Sequence, residues 1–264
     1  MNTKEITSKT ILSKSKLETK YSINPYRGCA NACVYCYAPY VLRENRKWGT
    51  FTEAKVNAPE LLEKELKKNK PGTIFISSVT DPYNSLEEKY KITRRLLEKL
   101  QGTEFFAKVQ TKSKLVLRDI DILKKINCEV GMTITTFDEK ARKIFEPNTS
   151  SSQERLDTLK KLNKEGIDTY IFFGPILPMI SDENLEETVK KFASVNPKYI
   201  LVDKLNIKRG DHWNKIKLVL EENYPEFVDE WEKILFSDND YYQKLKQRMI
   251  ELFRKYNLEY DICY

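Results

Sequence analysis

The chain has 264 residues, enough to bury one sizeable core and suited to a single α/β domain plus an extension. No run approaches the roughly 18 consecutive apolar residues of a membrane-spanning helix, so no membrane partner is expected. The net charge of +7 arises from 46 basic against 39 acidic residues, mostly in mixed Lys/Glu stretches that read as solvated surface; it permits a nucleic-acid partner without demanding one.

In chain order, residues 1–19 are polar and rich in Lys, Ser and Thr, with one apolar pair at Ile11-Leu12, and read as a loosely held N-terminal arm. Tyr21–Ile23 is the first predicted strand. Pro25 and Gly28 then turn the chain into a loop ending near Pro39, because proline fixes φ and glycine admits close approach of backbone to a bound group. Beyond it the pattern alternates. Helices are predicted over 59–70, 87–100, 115–126, 151–164 and 183–193, the last capped at Ser181 or Asp182; strands are predicted over 73–76, 105–109, 129–135, 169–173 and 199–202. Six short strands separated by helices imply a parallel sheet with right-handed crossovers, whose ligands sit beyond the strands' carboxyl ends. After Asn206 the stretches 213–220, 227–235 and 241–256 each carry an apolar stripe and form a C-terminal helical extension that covers the open side of the sheet. Lys244, Lys246, Arg248, Arg254 and Lys255 give it a basic face, which we read as solubilising rather than as a phosphate track.

The loop holds three of the five cysteines, Cys29, Cys33 and Cys36, within eight positions. Structural zinc takes four protein ligands and cubane clusters are commonly held by four thiolates, so a trio without a nearby histidine leaves one metal position open. The C-x3-C-x2-C spacing differs from paired zinc knuckles, and the sole histidine, His212, lies far along the chain. Three crowded cysteines without an apolar leader do not make a secreted disulfide framework; reduced thiols and a cytoplasmic location are expected. Cys128, opening a predicted strand, reads as a small buried hydrophobe.

The trio with Tyr35 as its aromatic resembles the cluster loop of radical S-adenosylmethionine (SAM) enzymes. Asn24-Pro-Tyr-Arg-Gly-Cys29, Ser77-Ser-Val-Thr-Asp-Pro-Tyr83, Thr111-Lys-Ser113, Thr133-Ile-Thr-Thr136 and Glu146-Pro147 together resemble the spore photoproduct lyase-like branch, also labelled DNA repair photolyase-like. The match runs in order from Tyr21 to Asn206. It implies a partial (β/α)6 barrel at residues 20–206, between the arm and the extension at 207–264. It also implies a 4Fe–4S cluster on Cys29, Cys33 and Cys36 whose unligated iron is chelated by SAM. One electron, from a donor such as flavodoxin or ferredoxin, then cleaves the sulfonium to methionine and a 5′-deoxyadenosyl radical that abstracts hydrogen from substrate.

By position, the resemblance puts Tyr35 against adenine, Thr80 and Asp81 at the amino end of SAM, Lys112 at its carboxylate, Thr133 at the ribose and Gly174 at the adenine edge. The chemistry suits these roles, since an ammonium seeks an acceptor and a carboxylate a cation. Each residue also has a plainer reading: Asp81-Pro82 is a common turn, Lys112 a surface lysine, Thr133 a strand former. Glu146 before Pro147 reads foremost as a helix end. Tyr26, Tyr37, Tyr40 and Arg27 read as packing around the loop, with Tyr37 a candidate for radical relay or substrate contact.

One departure matters. Where the lyase carries the cysteine that returns hydrogen to thymine, this chain has Ser78, whose O–H bond is too strong for that role. Cys263 is the candidate substitute if the C-terminus folds into the pocket. A radical SAM enzyme acting on a nucleic acid or nucleotide is therefore expected, against the rival of a non-catalytic, metal-stabilised nucleic-acid binder.

Overall fold

The computed structural model describes residues 2–15 and 19–264. Strands β1 (Asn2–Ile6), β2 (Ser13–Lys14), β3 (Tyr21–Ile23) and β4 (Tyr26–Gly28) precede helix α1 (Ala38–Leu42). β5 (Phe51–Lys55), α2 (Ala58–Leu66), β6 (Thr73–Ile76), α3 (Glu87–Tyr90), α4 (Ile92–Glu98) and β7 (Phe106–Thr111) follow. Next come α5 (Ile120–Leu123), β8 (Asn127–Thr133), α6 (Glu139–Phe145), α7 (Ser152–Lys164), β9 (Asp168–Ile176), α8 (Leu185–Ala193) and β10 (Tyr199–Lys204). α9 (His212–Asn223), α10 (Val228–Phe236), α11 (Tyr241–Lys255) and β11 (Tyr260–Ile262) end the chain.

The main sheet orders its strands β11-β10-β9-β8-β7-β6-β3-β2, all parallel except β2 against β3. The six expected strands are neighbours in chain order, which is the partial α/β barrel. Its two faces differ in chemistry. Ile74, Ile76, Ala107, Val109, Val130, Met132, Ile171, Phe173, Ile200 and Val202 are fully buried, joining one core cluster with Leu62, Leu96, Leu123, Leu159 and Phe192 from the helices. Alternation turns the intervening residues inward. There Lys108 donates to Tyr199 Oη at 2.7 Å, Tyr199 donates to Glu129 at 2.7 Å, and the Tyr170 ring stacks on Tyr199 at 5.1 Å. This polar plug lies toward the amino ends of the strands and leaves the carboxyl ends to form the site.

Several elements depart from expectation. Asn2–Ile6 is paired: β1 runs parallel to β5, which is antiparallel to β4, in a second sheet of three strands. Its side chains are almost all exposed, so no apolar alternation marked it. Met1 and residues 16–18 of the expected arm lie outside the described residues. The helix expected over 87–100 breaks at Lys91, which adopts φ 49°, and the one over 115–126 opens as a 3-10 turn over Lys114–Asp119. Neither Ser181 nor Asp182 caps α8, because Ser181 Oγ accepts from the Leu177 amide and Asp182 from the Tyr241 hydroxyl. β11, unforeseen in the extension, adds to the β10 edge in parallel.

Candidate active site

The cysteine loop is clamped by distant parts of the chain. Gly28 holds φ +77°, and a Cβ there would lie 2.5 Å from the Phe51 carbonyl oxygen, so the loop starts where only glycine fits. Thr80 Oγ1 donates to the Gly28 carbonyl at 2.7 Å, Asn148 Nδ2 to the Ala30 carbonyl at 2.9 Å, and the Val34 amide to the Phe145 carbonyl at 2.9 Å. His212 is fully buried in the extension; its Nδ1 accepts from the Lys208 amide at 3.0 Å, so Nε2 carries the proton donated to the Tyr35 carbonyl at 3.1 Å. The lone histidine thus reaches the loop as a backbone clamp.

Burial pushes the Cys29, Cys33 and Cys36 thiols up to about 12, and each lies close enough to another to feel its charge. None is in a disulfide. Three thiols from one loop form a donor set for a cubane that keeps one iron free of protein ligands. The buried indole Nε1 of Trp48 faces the Cys36 sulfur, a donor suited to a cluster-bound thiolate. The donor set therefore fits a 4Fe–4S cluster.

Around the loop, the predicted residues divide. Asp81 is buried and saturated: Oδ1 accepts from Thr111 Oγ1 at 2.6 Å and the Tyr83 amide at 2.8 Å, while Oδ2 accepts from Asn31 Nδ2 and the Lys112 amide, each at 2.9 Å. With four donors in place it ties the cysteine loop to the ends of β6 and β7. The Tyr35 hydroxyl donates to Glu146, its carbonyl is met by His212, and its ring is buried in a second core cluster with Phe145 and Trp231, which fixes the ring in place.

Lys112 is different. Among the described residues its ammonium forms no ion pair, and it stands 5.8 Å from the Tyr35 ring centroid. Burial opposes its charge, but Cys33 and Glu146 outweigh burial and hold it above the usual lysine range. Thr133 is buried at the end of β8, accepting from Gln110 at 3.3 Å. Thr80 keeps its lone pairs after donating to Gly28. At Gly174 a Cβ would lie 3.0 Å from the Phe172 ring and 3.1 Å from the Asp203 carbonyl oxygen, so the protein itself already crowds the space a side chain would take there.

Sequence reading undervalued Glu146 and missed Arg155. α6 does end there, yet the Glu146 carboxylate is buried, meets Arg155 at 2.5 Å and accepts from Thr135 at 2.9 Å. Burial opposes its charge, but Arg155 and Lys112 prevail and keep it below the usual carboxylate range. The signal was an arginine in the apolar stripe of α7, between Ser152 and Leu159. Asn24 was quoted but given no role: its Oδ1 accepts from Ser77 Oγ and from the Ser78 and Val79 amides, each at 3.0 Å, shaping the turn after β6.

Tyr26 donates to the buried Glu87, Tyr40 stacks on His212 at 4.5 Å, and Arg27 pairs with Glu44 at 3.0 Å, all packing roles as expected. Cys128 packs against the core with its thiol 3.4 Å from the Leu123 carbonyl oxygen. Tyr37 reaches the mouth, donating to the Ser78 carbonyl at 2.5 Å. Cys263 follows β11, and its amide continues the ladder to the Val202 carbonyl at 2.9 Å. Asp261 pairs with Leu201, Leu201 with Phe172 and Phe172 with Thr133, so alternation sets exposed Cys263 on the inner face, at the carboxyl end of the sheet.

A family model described as the radical SAM superfamily matches residues 23–192. An uncharacterised protein of Methanocaldococcus jannaschii is 38% identical over 211 residues, 78% of this chain and 77% of that one. Spore photoproduct lyase complexed with dinucleoside spore photoproduct superposes with a TM-score of 0.76 at 17% identity, covering 99% of this chain and 82% of the lyase. A doubly substituted form of that lyase with bound AdoMet and dinucleoside spore photoproduct gives 0.73 at 15% identity, over 99% and 81%. At such identities the lyase likeness concerns the fold. The family match, the M. jannaschii relative and the cysteine loop together show that the chain belongs to the radical SAM superfamily, enzymes that work with a 4Fe–4S cluster and SAM.

Proposed function

We propose that Cys29, Cys33 and Cys36 hold the 4Fe–4S cluster, that SAM is cleaved there by one electron to methionine and a 5′-deoxyadenosyl radical, and that the substrate is a nucleic acid or nucleotide. The observation that carries the reading is the pairing of the cysteine trio with Lys112, an ammonium that feels Cys33 and Glu146 but forms no direct ion pair among the described residues. Such a cation suits the carboxylate of a bound amino acid. Asp81 and Asn24 orient the strand ends, Glu146 and Arg155 brace Tyr35, and in this reading the backbone at Gly174 meets the adenine edge and Thr133 the ribose. Residues 20–206 form the catalytic core in this reading, and 207–264 clamp the loop through His212 and extend the sheet through β11. The substrate class draws on the lyase of like fold, solved with a dinucleoside. We place the enzyme in the cytoplasm with a flavodoxin- or ferredoxin-type donor.

Anaerobically reconstituted protein given dithionite and SAM is expected to release 5′-deoxyadenosine and methionine, and Cys33→Ala to abolish release. A colourless protein inert toward SAM would instead support the metal-stapled nucleic-acid binder. Ser78 cannot return a hydrogen atom to a product radical, so Cys263 takes that role. Cys263→Ala should leave SAM cleavage intact and change the product formed from a dinucleotide; an unchanged product removes Cys263 from the mechanism.

A further inference from the structure

Five large hydrophobic side chains are exposed among the described residues, and three of them lie within six positions: Tyr37 at 40%, Val41 at 57% and Leu42 at 42%. They begin one residue after Cys36, and Val41 and Leu42 sit on α1. That helix is anchored from beneath. Ala38 and Pro39 are buried, and Tyr40 stacks on His212 with ring centroids 4.5 Å apart. Val41 and Leu42 turn about half of their surface to solvent. A contiguous apolar exposure at so fixed a position marks a docking surface.

The rim of this surface is basic. Glu44 and Glu53 are consumed by Arg46, at 2.8 Å each, and by Arg27. Arg43, Lys47 and Arg209 are exposed and form no ion pair among the described residues. The surface therefore favours an acidic partner and repels a basic one. Position narrows the partner further. Hydrogen abstraction must occur on the inner face, shielded from any reductant that would quench the radical, so an electron has to enter from the outside of the loop. At 1.5 Å per residue the five residues of α1 span only about 8 Å, which keeps a partner seated on Val41 and Leu42 close to Cys36.

Resting on the cluster reading above, we propose that the exposed face of α1, with its basic rim, is the docking site for a small acidic electron carrier of flavin or iron–sulfur type. Each productive contact moves one electron from the carrier, oxidised by one electron, to the cluster, reduced by one. The surface is small and mostly rim, as in weak and transient redox encounters.

Val41→Glu/Leu42→Glu tests this in the reconstituted enzyme. Cluster bleaching is followed by stopped flow with reduced flavodoxin and, separately, with dithionite, a small reductant that needs no docking surface. The expected result is a fall of at least about tenfold in the flavodoxin rate, since each 1.4 kcal/mol of lost encounter free energy is a factor of ten, with the dithionite rate and dithionite-driven SAM cleavage unchanged. If the double variant loads no cluster, Arg43→Glu with Leu42→Gln is read in the same way. Equal flavodoxin rates in variant and parent overturn the proposal. So does a variant that is reduced normally but fails to turn over a nucleotide substrate, which would assign the face to substrate. A parent protein that assembles no cluster refutes the functional reading itself and is seen before any variant is made.

Discussion

Arg155 and Glu146 form a buried ion pair in which the arginine also donates to the Thr133 carbonyl at 2.9 Å, joining α7, the end of α6 and β8. Breaking such a pair from one side strands a charge away from water, at a cost of roughly 3–5 kcal/mol. Arg155→Met should lower thermal stability by that amount; a loss under about 1 kcal/mol would mean the pair contributes no more than a surface contact. Lys112→Gln should weaken SAM binding about 10- to 100-fold, as expected for one charged hydrogen bond; calorimetry with SAM checks it, and unchanged affinity would remove Lys112 from the carboxylate site. Residue chemistry in the sequence identified the cysteines because three thiols so near in the chain must be near in space. The same reasoning could not see the hydrogen bonds that position Asp81, whose partners Asn31, Thr111 and the Lys112 amide arrive from about 30 to 50 positions away. Sequence shows which group can accept a hydrogen bond, and only the fold shows what already fills it.

Elements with two-sided burial were legible, and edge elements were not. β6 to β10 carry apolar residues on their helix-facing side whatever their neighbours, while β1, β4 and β5 form a small sheet whose polar strands resemble loop until they are paired. The inner face of the barrel depends on one small residue in β8. A Cβ on Gly131 would lie 2.1 Å from the Tyr170 ring, which is pinned by Tyr199 stacked at 7° on its other side and by Lys108 at 4.6 Å. With no direction in which to yield, Gly131→Ala should cost at least the roughly 1–3 kcal/mol of an overpacked core. Denaturant unfolding reads this directly, and a neutral result would show that the plug can shift. The break at Lys91 was invisible for a local reason: Glu87 accepts from the Thr93 and Arg94 amides, which starts a new helix where sequence suggested one continuous run.

At the scale of the molecule, the barrel and its extension share one site. No helix among the described residues is long and apolar enough to cross a membrane. The core supplies the cysteine loop, the strand ends and Lys112, and the extension returns twice, through His212 at the Tyr35 carbonyl and through β11, which carries Cys263 to the inner face. The helices of the extension were foreseen from their stripes, but their return to the loop was not, because a single histidine gives no hint of a backbone partner 177 positions away. All of this depends on a cluster whose fourth iron has no protein ligand. Mössbauer spectra of protein reconstituted with enriched iron, recorded with and without SAM, test that most directly. One iron of the four should change its signal when SAM is added; four irons that stay unchanged, or a single mononuclear metal, would contradict the account.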